Sequence, residues 1–241
     1  MAVSDTIDAP PMPAKPKPFK WSFSKLKNFR TCPKRHYHCD IKREFKEDST
    51  HLDWGKTVHK ALEHRIERGT QLPPVMDPYE IWAKGILKYA GQGARIRVEQ
   101  KLAFDKDFMP TEADWKNPNA WFVCTVDVLV LGNPDHVLAV DWKTGKVDAD
   151  SQQLMLTSQA VFSHYPNVKR VTTTYVWLKH DTETTETYTQ NDLLSMWNGL
   201  LPELKMIEQA ERTEHYPPTP NGLCRAHCPV TSCPYHGKGS Y

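Results

Sequence analysis

"VDVLVLGNPDHVLAVDWKTGK", residues 126–146, holds two apolar runs on either side of a turn. The runs are rich in Val and Leu, and Gly132-Asn133-Pro134-Asp135 is turn chemistry, so the stretch predicts a β-hairpin. Asp127 lies among Val126, Val128, Leu129 and Val130, and Asp141 ends the second run. A carboxylate in such a run is costly to bury unless it is paired or holds a metal. Across a hairpin the two carboxylates can converge near one end of the sheet. Lys143 follows Asp141 by two residues and so shares its face, while Trp142 points the other way into packing. Hard cations such as Mg²⁺ or Mn²⁺ prefer carboxylate and water oxygens. An ammonium beside such an ion can orient a water or stabilise charge growing on a phosphate. Taken alone, the Asp-x-Lys spacing reads more readily as a salt bridge at a strand end. With Asp127 and the hairpin it points to a metal-dependent site.

Outward from this hairpin the periodicity changes. Upstream, "SFSKLKNFRTC" begins on Ser22, a helix cap, with Phe23, Leu26 and Phe29 at helical spacing. "HLDWGKTVHKALEHRIERG" carries the stripe Val58, Leu62, Ile66 and stops at Gly69. "DPYEIWAKGILKYAGQG" is a further helix, and "RIRVEQKLAFD" a first strand. Downstream, "DSQQLMLTSQAVFSHYP" returns to helix, and "VKRVTTTYVWLKH" and "TETTETYT" read as two strands with a tight connection. A long helix, "NDLLSMWNGLLPELKMIEQAERTEHY", carries Pro202 as a kink candidate, and the tail after it has little regular pattern. Helices, three strands, a helix, two strands and a helix predict an α/β sandwich with a mixed sheet. No GxGxxG or Walker motif occurs, which leaves a dehydrogenase or nucleotide-driven motor unsupported.

A chain of 241 residues, 39% hydrophobic and 25% charged, has room for one substantial core. No apolar run approaches membrane-spanning length, and the first twenty residues, rich in Pro, Lys and Ala, have no apolar signal core. They are expected to form a disordered arm, and cytoplasmic residence is the expectation. The net charge of +2 neither demands nor excludes nucleic acid. A basic and aromatic stretch at residues 15–43 can serve as a patch for it or as a solvated helix face. Of six cysteines, Cys224, Cys228 and Cys233 crowd into the tail; Cys32 stands far upstream, and Cys39 and Cys124 are expected in the core. Disulfides are not expected without a secretory signal.

These residues resemble the core of the PD-(D/E)XK nuclease superfamily, and in particular its RecB-like branch. That branch carries an Asp-aromatic-Lys-Thr/Ser-Gly motif, here "DWKTG", and an upstream Gly-x-x-x-His-x-x-Leu-Glu, here Gly55, His59, Leu62 and Glu63. The resemblance implies a restriction-endonuclease-like core and a Mg²⁺ or Mn²⁺ site. It makes His59, Asp127 and Asp141 ligands, the backbone carbonyl of Trp142 a further one, and Lys143 catalytic. Glu99 sits where the family often has an acid on the first core strand, as a supporting group or a salt-bridge partner. Gln153 stands in the family's glutamine helix, where it can contact DNA or the active site, but Thr157 replaces the expected tyrosine.

The cysteines extend the resemblance to the CRISPR-associated and AddB-type iron–sulfur nucleases. These place one cysteine before the core and three after it, on a [4Fe–4S] cluster. Here the set is Cys32, Cys224, Cys228 and Cys233, with the tail spacing shifted by one from the usual pattern. Four thiolates suit a cubane cluster. Zn²⁺ is the alternative, with His227 or His236 able to replace one cysteine, and free buried thiols are the third reading. The implied organisation is an arm (1–20), a helical region with one cluster cysteine and the histidine (21–92), a nuclease core (93–212) and a cysteine segment (213–241) that staples the chain ends. The implied activity is a metal-dependent DNA exonuclease on single strands or free ends, in recombination, repair or CRISPR adaptation. The alternatives are a structure-specific endonuclease or a DNA-binding subunit with secondary nuclease activity. The chain has no helicase motif, so a helicase or a recombination or integration partner would be a separate protein.

Overall fold

The computed structural model describes residues 18–45 and 50–238. The expected arm therefore lies outside the described residues except at its end. There, Phe19 is already buried, so the core begins inside the stretch expected to be an arm. Helices α1 (Phe23–Thr31) and α2 (Pro33–His36) lead through a π-helical turn, Tyr37–Ile41, to α3 (Thr50–Arg68) and α4 (Glu80–Ala90). Strands β1 (Arg95–Phe104), β2 (Pro110–Thr111), β3 (Phe122–Asn133) and β4 (His136–Lys143) follow. Then come α5 (Gln152–His164), β5 (Arg170–Trp177), β6 (Thr182–Tyr188) and α6 (Gln190–Thr213).

The strands form one six-stranded mixed sheet in the order β2-β1-β3-β4-β5-β6. All neighbours are antiparallel except β4 and β5, which run parallel and are joined by the α5 crossover. The β3–β4 hairpin turns on Pro134-Asp135, where the Asn133 side chain accepts the Asp135 N–H at 2.9 Å. Two-residue β2 is too short to read from sequence; its proline sits at the sheet edge, where a missing N–H costs no ladder bond.

Alternation along β4 divides the core. Val137 and Ala139 join residues of α1, α5 and α6 in one cluster; Val140 and Trp142 join Val58, Leu62 and Ile66 of α3 and Ala83 and Ile86 of α4 in another. The sheet is thus flanked by helices on both faces. Each large apolar side chain so buried contributes about 1.5–3 kcal/mol relative to exposure. Ser22 caps α1 by accepting the Lys25 N–H, and Gly69, at φ +71, ends α3 in a conformation that favours glycine. The predicted helix at residues 77–93 begins later, at Glu80; Pro78 holds the preceding turn, Pro74–Tyr79, as a 3₁₀ helix. Helix α6 starts on a Thr189–Asp192 capping box and runs unbroken through Pro202.

Candidate active site

The site lies where β3 and β4 part. Their paired register reaches Val128↔Val140 and stops. Two residues further along β4, the Trp142 backbone N–H donates instead to Asp127 Oδ2 at 2.7 Å, so a carboxylate takes over a ladder position. The N–H and C=O of one extended residue face the same edge, so the Trp142 carbonyl faces this fork too. Its indole is fully packed on the α3 side, 2% exposed.

Asp127 reaches α3 because the pleat slips. Val126 and Val128 pack on opposite faces of the sheet, where strict alternation would put them together. On the neighbouring strand, register holds at Val98↔Val128 and Gln100↔Val126, which places Glu99 opposite Asp127. Glu99 itself is at φ +48, a left-handed conformation costing on the order of 1–2 kcal/mol. The result is a group of His59, Glu99 and Asp127 whose ligand atoms all lie within 4.8 Å of one another. His59 Nδ1 is 3.2 Å from Asp127 Oδ1. Burial works against a charged His59, but the hydrogen bond and charge of Asp127 outweigh it and raise the imidazole above its ordinary range. Glu99, the exposed member, is raised by partial desolvation and then by Asp127. Gly55 lets α3 come this close: a Cβ there would stand 3.2 Å from Thr144 Oγ1, in the turn after Lys143.

Asp141 stands apart from that three-residue group, on the α5 side of β4. Its Oδ1 accepts from Gln153 Nε2 at 2.9 Å, while Gln153 Oε1 accepts from Lys143 Nζ at 2.9 Å. Asp141 Oδ2 is buried 2.7 Å from Lys143 Nζ, yet off the hydrogen-bonding direction and with no other donor. The ion pair is real in distance, and the oxygen keeps a lone pair uncommitted. Burial pushes the Asp141 carboxyl up to about 6, with Lys143 opposing and Asp127 adding to the rise. Lys143 Nζ also sits 4.7 Å from the Tyr175 ring centre. Where the glutamine helix carries Thr157, an aromatic against the lysine comes from β5 instead. Sequence reading missed Tyr175, because only the parallel β4–β5 register, Asp141↔Tyr175, brings it near.

The cysteines gather at the other end of α1. Cys32, at the α1–α2 junction, lines one concavity with Cys224, Cys228 and Cys233. Cys32 Sγ accepts the Thr219 N–H at 3.3 Å and Cys224 Sγ the Asn221 N–H at 3.4 Å. The Asn221 amide donates to Thr31 O at 2.9 Å, tying the tail to α1. All six cysteines are free thiols. Cys39 is not a core residue; it is half-buried on the π-helical turn, where burial raises its thiol, Arg35 opposes the rise, and Cys228 and Cys32 are close enough to add to it. Cys124 is the packed one, pushed up to about 12 by burial.

The model of the PD-(D/E)XK nuclease superfamily matches residues 20–235. The chain belongs to the PD-(D/E)XK nuclease superfamily. A crystal structure titled "Putative exonuclease" from Eubacterium rectale is similar at a TM-score of 0.55 and 11% identity, over 86% of each chain. The structure of SSO0001 is similar at a TM-score of 0.41 and 11% identity, over 90% of this chain and 86% of that one. No curated protein matches the chain. PD-(D/E)XK nucleases typically use a divalent metal, and His59, Glu99 and Asp127 form the candidate site for it in this nuclease. Its substrate class is DNA. No helix among the described residues is long and apolar enough to cross a membrane.

Proposed function

We propose that this chain is a Mg²⁺- or Mn²⁺-dependent deoxyribonuclease of the RecB-like branch, an exonuclease acting on single strands or DNA ends in recombination, repair or CRISPR adaptation. The observation that carries the reading is the β3–β4 fork, with His59, Glu99 and Asp127 on one side and the Asp141–Lys143–Gln153 triangle on the other. The donor set is hard oxygen with one imidazole, and the uncommitted Asp141 Oδ2 adds a buried lone pair, so these residues fit a divalent ion. Asp127 and Asp141 would hold it with His59; Glu99, expected as a supporting group, is placed to serve as a ligand too. When bound, such an ion supplies Lewis acidity to a phosphate oxygen and acidifies a water. Lys143 brings a fixed ammonium to the place where phosphate charge develops. Gln153 is a positioning residue: its amide holds both Asp141 and Lys143.

End-labelled linear and circular single-stranded DNA, incubated with Mn²⁺, test the reading. Linear strands are expected to disappear from their ends and circles to survive. Cut circles would replace the exonuclease by an endonuclease, and an active Lys143→Ala variant would remove the lysine from the mechanism.

For the cysteine site the proposal is a [4Fe–4S] cluster on Cys32, Cys224, Cys228 and Cys233, stapling the chain ends. Two of the thiols already accept backbone N–H groups, the kind of hydrogen bond that tunes cluster sulfurs. Iron and sulfide content with visible absorbance of anaerobically purified protein decides it; stoichiometric zinc would overturn it.

A further inference from the structure

Gln153 holds both Asp141 and Lys143 through one side-chain amide, so the orientation of its own backbone matters to the whole fork. That backbone is the second residue of α5. The first turn of a helix has N–H groups with no partner inside the helix, and it depends on caps. Here the cap residue, Ser151, makes no side-chain bond, and the turn carries no acidic residue. The Gln152 N–H finds Asp150 Oδ1 at 2.9 Å, just before the helix begins. Successive helical residues stand about 100° apart, so Gln152, Gln153 and Leu154 point in three directions. Gln153 faces the active site, and Leu154 is packed in the core, 2% exposed. Gln152 faces α1, where its Oε1 accepts from Arg30 Nη1 at 2.7 Å.

Arg30 is itself held. Its Nε and Nη2 donate to the two carboxylate oxygens of Glu203 on α6, at 2.5 and 2.8 Å. A guanidinium gripped in this two-pronged way is planar and rigid, so its remaining N–H groups are aimed by geometry. The helices behind the grip are packed as well: Leu26 of α1 and Leu200 and Leu204 of α6 lie in the same core cluster as Leu154. Leu154 alone fixes one point of the α5 turn. Gln152 on Arg30 adds a second, on another side of the helix, and the pair fixes its rotation.

We propose that Arg30 is a positioning residue of this nuclease: by holding Gln152 it sets the first turn of α5, and so keeps the Gln153 amide on Asp141 and Lys143. The proposal rests on the nuclease reading and adds a residue to it. The side chains of Arg30 and Glu203 are 34% and 32% exposed, and so exposed an ion pair contributes little to stability. Removing Arg30 therefore separates positioning from folding. A basic residue that gripped DNA would behave otherwise, since its loss would raise KM and spare kcat.

The test reads turnover and the Gln153 amide, both in the full chain. On linear single-stranded DNA with Mn²⁺, Arg30→Ala and Gln152→Ala are each expected to lower kcat about tenfold, the range of a group one shell away from a metal. KM should stay within about twofold, and Tm should fall by about 3 °C or less. The double variant is expected to be no slower than either single one, and the Arg30→Ala effect to vanish once Gln153 is alanine. Gln152→Glu, which gives Arg30 an acceptor again, is expected to recover most of the rate that Gln152→Ala loses. In NMR spectra of the Mg²⁺-loaded protein, the Gln153 side-chain amide is assigned by its absence in Gln153→Ala. Its protons are expected to exchange with solvent about tenfold faster in Arg30→Ala than in the wild type. Additive losses, a raised KM at unchanged kcat, or equal exchange in the two proteins overturns the proposal. Wild-type cleavage with kcat and exchange both unaltered in Arg30→Ala leaves the nuclease standing and removes Arg30 from it. If the wild type cuts no DNA, the nuclease reading falls, and the amide exchange still decides what Arg30 holds.

Discussion

The two ends of this molecule that gather reactive side chains are built differently. At the fork, carboxylates, imidazole and lysine project from sheet and helix, and each is held by another: Asp127 by His59 and the Trp142 N–H, Asp141 and Lys143 by Gln153. At the cysteine end, three of four thiols come from a tail whose regular structure amounts to one 3₁₀ turn, Gly222–Cys224. The Thr219 N–H on Cys32 Sγ and the Asn221–Thr31 bond tie it to α1, and the Asn221 N–H closes the tail's own turn on Cys224 Sγ. The fork holds its shape through the sheet and adds a metal for chemistry. With the proposed cluster, the cysteine end would take its shape from the metal group, as small thiolate sites do.

That contrast can be broken by mutation. The largest effect is expected at the fork: Asp141→Ala or Lys143→Ala should lower cleavage by on the order of 10²–10³-fold or more, with little change in melting temperature. A large loss of Tm in these variants would show that the fork too depends on its ion pair for shape. Cys32→Ser or Cys224→Ser should do the opposite first: loss of bound metal and a lower Tm, with cleavage falling only as the protein unfolds. Metal analysis beside a thermal melt separates the two.

Glu99 sharpens the comparison. Glu99→Gln should weaken Mn²⁺ binding about 10- to 100-fold by titration, the range of a disturbed metal shell. Glu99→Gly should also lose metal but gain about 1 kcal/mol of stability, because glycine accepts the φ of +48 without strain. A stabilised, inactive protein would mark strain kept for function.

The smallest effect concerns pH at the cysteine end. Burial opposes the charge on Asp40, but hydrogen bonds from His36 and Asn28 outweigh it and hold the carboxyl below its ordinary value. Its contribution is therefore fully present above the unfolded-state pKa and lost as pH falls through the folded one. Asp40→Asn should flatten acid destabilisation of the wild type in that window, measured by urea melts at stepped pH. An unchanged slope would show that Asp40 is not part of the acid response.

Much of the fork was legible because local rules suffice there. The hairpin, the shared face of Asp141 and Lys143, the inward Trp142 and the stripe on α3 all follow from periods of two or 3.6. Those rules assume an unbroken pleat, and the pleat slips at Asp127 and Glu99. That slip, invisible in composition, brings Glu99 into the histidine–aspartate group and leaves Asp141 outside it. Tyr175 and Cys39 were missed for a related reason: their neighbours lie far along the chain, reached through a parallel register and a π-helical turn. Phe19 was assigned to a disordered arm because the Pro- and Lys-rich stretch around it hides one buried ring.

The bare Cα of Gly55 has one more consequence. A methyl there would sit 3.2 Å from Thr144 Oγ1, tighter than side chains ordinarily pack. His59 lies one helical turn along the same rigid rod, and its 3.2 Å reach to Asp127 is already at the long end for a hydrogen bond. The seat of α3 against the turn is thus set by an atom the chain leaves out: any side chain at residue 55 would need Thr144 to give by a few tenths of an ångström.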